Sequence, residues 1–350
     1  MKARITITSL LVVFIVLTYG QTTIPGGDVY GTWTISGSPY LVQGDINVPA
    51  DCTLVIEPGV VIDFQGNYMT QVFGNLLAQG TETDTIRFIS TSSIGHRGLK
   101  YLDVPEETDS SIFTYCRFQD ANCTGTWPFN CGGGMGIMDF DKVRIEHCLF
   151  IDNQAWNGAQ AAGGAIAFGG FDGIIRYNSF IDNKSPYGGA IICWENSNPT
   201  IAGNYFFNNF ATYEGGAIII WAQCDPVVNN NVFIANRANQ FGGAISVFDN
   251  CNPVIKYNLF SDNLALQDGG AIEVNKSCAP LIQNNTMAFN QANQHGGAID
   301  IYDESCPSLV NNIMWGNQSP NGTQVFNWSP ECIPDFFNND IQYGYDSIGG

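Results

Sequence analysis

Basic residues are scarce in this chain: 13 Lys and Arg stand against 32 Asp and Glu, for a net charge of −19 at neutral pH. A field of that sign repels nucleic acid and anionic lipid, which excludes nucleic acid as an expected partner. It suits a soluble extracellular protein, and carboxylates at this density also admit calcium as a ligand. The cations that do occur, such as Arg176, Lys184, Arg237, Lys256 and Lys276, are scattered. Elimination from a uronate needs a strong base, commonly Lys or Arg, together with cationic help for the acidic sugar. No cluster of that kind is visible. Helical periodicity is missing throughout. After the N-terminal segment there is also no apolar run long enough to cross a bilayer, so the mature chain is expected to have no membrane-spanning segment.

The N-terminal segment itself reads as a secretory signal over residues 1–20. Lys2 and Arg4 give the positive start, Ile5 to Val16 form the apolar run, and small residues precede Gln21. Eleven cysteines fit an exported protein with some disulfides, and the odd count leaves at least one thiol over. Cys123 and Cys131 flank a loop containing Gly, Pro and Trp and form a candidate disulfide across it.

What the chain has in abundance is a repeat. Gly-Gly-Ala-Ile starts at Gly163, Gly188, Gly215, Gly242, Gly269 and Gly296, in steps of 25, 27, 27, 27 and 27 residues. A period this regular marks one structural unit copied and stacked. With the first glycine as position 1, position 4 is always Ile, and position 6 is Phe168, Cys193, Ile220, Val247, Val274 and Ile301. Alternation of this kind predicts a strand with positions 4 and 6 inward and positions 5 and 7 outward. From the second copy, proline opens a second strand at position 12, and position 14 is again aliphatic. Asparagine recurs at position 17 (Asn204, Asn231, Asn258, Asn285, Asn312) and at position 22 (Asn209, Asn236, Asn263, Asn290, Asn317). Phe or Met holds position 19. If coils stack in register at ~4.8 Å, these asparagines form amide ladders and the apolar positions form columns.

The expected fold is therefore all-β: a right-handed parallel β-helix solenoid of the pectin-lyase type, with about 27 residues per coil. Residues 21–350 form one domain. Within it, 21–132 hold an N-terminal cap and irregular coils, 133–322 the repeat coils, and 323–350 a degraded last coil beginning at Thr323.

GGAI paired with Phe-x-x-Asn, as in Gly188–Ile191 with Phe206–Asn209, resembles the repeat of the chlamydial-type polymorphic outer membrane proteins. The resemblance covers residues 133–320 or so. It implies a right-handed β-helix displayed at a bacterial surface and often adhesive. Those proteins carry a C-terminal autotransporter barrel, which this chain, ending at Gly350, does not show. The opening from Val29 to Gly59 is more similar to other secreted bacterial β-helix proteins.

Two groups of outward residues are candidates for function. Position 7 gives Trp194, Trp221, Phe248, Asn275 and Tyr302, an aromatic stripe suited to stacking on sugar rings. Position 5 gives Glu273 and Asp300 on adjacent strands, at a spacing that would serve a retaining glycosidase or hold calcium. Cys224, Cys251 and Cys278 share position 10 and are read as stacked thiols. The expected function is a secreted or cell-surface scaffold, adhesive or carbohydrate-binding and without catalysis, whose partner is a polysaccharide or surface glycan. The alternatives are a polysaccharide-degrading hydrolase or lyase, with Glu273 and Asp300 as catalytic candidates, and a passive structural surface protein.

Overall fold

The structure, a computed structural model, describes residues 20–156, 161–328, 332, 334–344 and 348–350. The signal segment of residues 1–19 thus lies outside the described residues. A short 3-10 turn, Ile35–Gly37, is the one helical element that lies wholly within the described residues.

Every strand pairing is parallel, and each strand meets its equivalent one coil later. Among the described residues two sheets have 13 strands, a third has 12 and a fourth has seven. The first three sheets form the sides of the solenoid from Thr22–Ile24 onward. The fourth begins at Asn122–Cys123, ends at Gln291–Ala292, and adds an extra side to the repeat coils. In register, Ile191 pairs with Ile218, Ile218 with Ile245, Ile245 with Ile272, and Ile272 with Ile299. All five are fully buried in one continuous core. A rigorous period of this kind therefore fixes the register of the stack, as the repeat predicted.

Polar columns sit beside the apolar ones. Asn204 Nδ2 donates to Asn231 Oδ1 and to the Ile175 carbonyl, both at 3.0 Å. Its own Oδ1 accepts from the Asn178 backbone N–H at 2.9 Å and from Asn178 Nδ2 at 3.1 Å. Every hydrogen-bonding capacity of the amide is used, which is what makes a buried asparagine affordable. The second ladder repeats the pattern through Asn183, Asn209, Asn236, Asn263 and Asn290. Between the ladders the phenylalanines of position 19 stack face to face, with Phe206, Phe233 and Phe260 at centroid spacings of 4.7 and 4.8 Å.

The cysteine column works in the same way. Cys224 N–H donates to Cys251 Sγ and Cys251 N–H to Cys278 Sγ, each at 3.2 Å, and Cys278 N–H continues to Ser305 Oγ. Ser197 precedes the column, so position 10 takes Cys or Ser as acceptor for the coil before. Cys123 and Cys131, expected to bridge, do not form a disulfide; the one found among the described residues joins Cys306 to Cys332. The backbone turns Cys123 toward Lys100 instead, with Lys100 Nζ donating to its sulfur at 2.9 Å.

Two boundaries shift by one residue. Val325 pairs with Ile299, so the last coil starts at Gly322, whose φ of 59° matches that of the other first glycines. Met135 pairs with Ile166, which places the first diverged copy at Gly132. Counted from Gly322, Cys332 takes position 11, the place of its partner Cys306.

Candidate functional site

Position 5 was expected on the outside, yet Ala167, Ile192, Ile219, Ser246, Glu273 and Asp300 are all buried. The glycine corner explains this. A Cβ on Gly188 would lie 3.0 Å from Ile219 Cγ2, and one on Gly269 would lie 3.0 Å from Glu273 Cβ. The first glycine of each coil, held at positive φ, thus folds the incoming chain down onto the position-5 column. The second glycine serves the stack: a Cβ on Gly189 would meet Gly216 O at 2.1 Å. The residues before the glycines complete the cover and form their own ladder of bridges through Phe241, Asp268 and His295. A small satellite core results, in which Ala167, Ile192 and Ile219 pack against Tyr187, Trp194 and Trp221.

The two groups of candidates therefore share one place. The position-5 column forms a covered floor, and the position-7 side chains form the outer wall beside it. Trp194, Trp221 and Phe248 are half-buried in that wall, and Tyr302 is exposed. Trp194 and Trp221 lie 6.4 Å apart with planes tilted by 31°, while Trp221 meets Phe248 edge-on at 5.9 Å. Lys276 Nζ sits 5.0 Å above the Phe248 ring and pairs with Asp249 at 3.1 Å. Asn275 interrupts the stripe, so the wall consists of two aromatic patches and not a continuous platform.

Sequence reasoning missed members of both patches. Trp127, from the loop after Cys123, packs edge-on against Trp194 at 4.1 Å, and Tyr187 lies 5.8 Å from Trp221. At the other end, Trp328 packs against Tyr302 at 5.8 Å and His295 at 4.5 Å. With the last coil counted from Gly322, Trp328 occupies position 7, so the correct register would have revealed it.

Beneath the second patch lie the carboxyls. Glu273 and Asp300 are direct register partners. Ser246 Oγ donates to Glu273 Oε2 at 2.6 Å and lies 3.4 Å from Glu214 Oε2. Burial pushes the Glu273 carboxyl well above the usual carboxylate range, and Glu214 and Asp300 push it further. Burial and then Asp268 raise Asp300 to about 8, against a hydrogen bond from Trp328. Asp300 Oδ1 is buried with no hydrogen-bond partner among the described residues. Asp268 itself lies 2.8 Å from His295 Nδ1. The acids are thus set to hold protons at neutral pH, but they lie under the glycine corner, out of reach of a polymer on the outer face. Among the described residues, no group of three or more His, Cys, Asp or Glu is arranged to hold a metal ion, so the calcium expectation finds no site there.

A chain of stacked parallel coils with a buried asparagine ladder is a β-helix protein by construction. The sequence matches the right-handed beta helix region family over residues 106–286 and 212–341, more than half the chain, and the protein belongs to that family. Among solved structures it is similar to the Agl-KA catalytic domain, at 14% identity and a TM-score of 0.43, covering 85% of this chain but only 61% of that one. It is also similar to a mutant of the periplasmic alginate epimerase AlgG, at 10% identity and a TM-score of 0.30, covering 86% of this chain and 76% of that one. These likenesses are of fold alone. No curated protein matches the chain.

Proposed function

We propose that this β-helix is a carbohydrate-binding scaffold that works outside the cell, at a bacterial-type surface, without catalysis. The observation that carries this reading is the partly exposed aromatic wall of Trp194, Trp221, Phe248, Tyr302 and Trp328 along one edge of the coils. Aromatic faces stack on the apolar faces of sugar rings, and an array on a rigid stack offers several such contacts to one extended glycan. The Cys306–Cys332 disulfide supports an oxidising compartment, in keeping with export. The test is a glycan array probed with the purified mature chain and with the double variant Trp194→Ala, Trp221→Ala. Binding is expected for the parent and lost in the variant; a variant that binds as the parent does would remove the wall from consideration.

A second reading, a polysaccharide hydrolase, is favoured by one observation: Asp300 carries a raised pKa of about 8, as a general acid requires. Its burial opposes that role. Release of new reducing ends from a polysaccharide panel, lost in Glu273→Gln, would reverse the order of the two readings.

A further inference from the structure

The position-5 column that holds the acids also holds a single lysine, several coils before them. Lys100 is fully buried and in register with Gly136 and, through it, Ala167. Its stem passes over Gly136, where a Cβ would lie 3.3 Å from Lys100 Cδ. Its Nζ donates to three acceptors: Cys123 Sγ at 2.9 Å, the Cys131 carbonyl at 2.6 Å and the Gly132 carbonyl at 2.7 Å. Among the described residues no carboxylate reaches it within ion-pair distance. His96, held neutral by burial with a pKa near 4, adds no second positive charge beside it. Of the three acceptors the Cys123 sulfur is the one side-chain atom, so a nucleophilic sulfur is held directly against an amine. Cys123 is itself fully buried, so only a small oxidant arriving through local opening can reach it.

We propose that Lys100 and Cys123 form an oxidation-dependent covalent bridge, Nζ–O–Sγ, with a peroxide as the oxidant. Two peroxides are consumed. The sulfur attacks the first, its O–O bond breaks, and Cys123 becomes a sulfenic acid as one water leaves. The second takes two more electrons from the pair: the sulfenic oxygen bonds to Nζ, the O–H and one N–H hydrogen are removed, and two waters leave. The N···S separation of 2.9 Å leaves room for a bridging oxygen with little movement of either strand. The bridge bolts the start of the 124–131 loop to the solenoid wall. That loop carries Trp127, which leans on Trp194, so oxidation fixes the cover at the first end of the aromatic wall. The proposal does not depend on what the wall binds.

The test is intact-mass and peptide-mapping analysis of the purified full chain during titration with hydrogen peroxide. The bridge adds one oxygen and removes two hydrogens, so a gain of about 14 Da is expected, on a peptide pair joining Lys100 to Cys123 and reversed by dithiothreitol. Cys123→Ser should abolish the gain, and Lys100→Arg, which keeps the charge, should also abolish it. The parent chain alone decides the matter if either variant fails to fold. A loss of about 2 Da mapping to a Cys123–Cys131 disulfide, terminal oxidation of Cys123 with Lys100 still open to acylation, or no reaction would each overturn the proposal.

Discussion

The buried Asp300 makes stability fall as pH rises, the reverse of the trend expected for a protein held by salt-bridged carboxylates. Its folded-state pKa is about 8, against an ordinary value of 3.8. Below about pH 4 both folded and unfolded chains hold the proton and there is no linkage. Between about pH 4 and 8 the unfolded chain releases a proton that the folded chain keeps, so unfolding gains about 1.4 kcal/mol per pH unit. Above about pH 8 both states are ionised at this site and the effect levels off. Carried across the whole window, the loss is on the order of 5 kcal/mol, reduced wherever water enters the corner to solvate the anion. Glu273 adds to it in the same direction. The −19 net charge also disfavours the fold at high pH, so the diagnostic is the difference between the parent and Asp300→Asn, which keeps the shape and removes the proton. Because a solenoid can open coil by coil, hydrogen exchange at the amides of Ile299–Ile301 is a better reading than a global midpoint. Protection there should fall with rising pH in the parent, beyond the intrinsic rate increase, and much less in the variant. Equal pH slopes for the two would refute the reasoning.

Two further outcomes follow from the columns. Asn258→Ala strands the Asn231 N–H and Nδ2 above it and the Val228 carbonyl beside it, so a loss of at least about 3 kcal/mol is expected in urea denaturation, far above that of an exposed Asn→Ala such as Asn252→Ala. Cys306→Ser releases the last coil, with an expected loss of about 3 kcal/mol for a closed loop of this size, seen as faster exchange in Val325–Asn327 while Ile218–Trp221 stays protected.

The features legible in the sequence are those the stack repeats. Position 4, the two asparagine ladders and the Phe or Met column recur through the GGAI coils because each side chain's partner is its own equivalent one coil away, so one-dimensional periodicity carries the three-dimensional contact. The features not legible depend on something else folding over the stack. Alternation says only that position 5 points away from position 4; it cannot say that a glycine corner and the ladder through Phe241, Asp268 and His295 lie on top of it. The last coil slipped by one because Gly322-Thr323-Gln324-Val325 keeps the positive-φ glycine and loses the second one. Spacing along the chain likewise put Cys123 and Cys131 within bridging range, while side-chain direction, which spacing does not encode, turns Cys123 to Lys100.

The position-5 column also shows why its acids cannot both be charged. From Lys100 to the acids it runs, in register, Lys100, Gly136, Ala167, Ile192, Ile219, Ser246, Glu273 and Asp300. A column places like residues about 4.8 Å apart, so two carboxylates at adjacent levels repel by about 3 kcal/mol at an effective dielectric of about 20, before any desolvation cost. The lysine of the column, Lys100, is separated from them by five neutral levels. Among the described residues no Lys or Arg pairs with either acid, and Ser246, which donates to Glu273, carries no charge. Burial and mutual repulsion therefore bias both acids under the Tyr302 and Trp328 patch toward the protonated form, and a rising pH acts on Asp300 near 8.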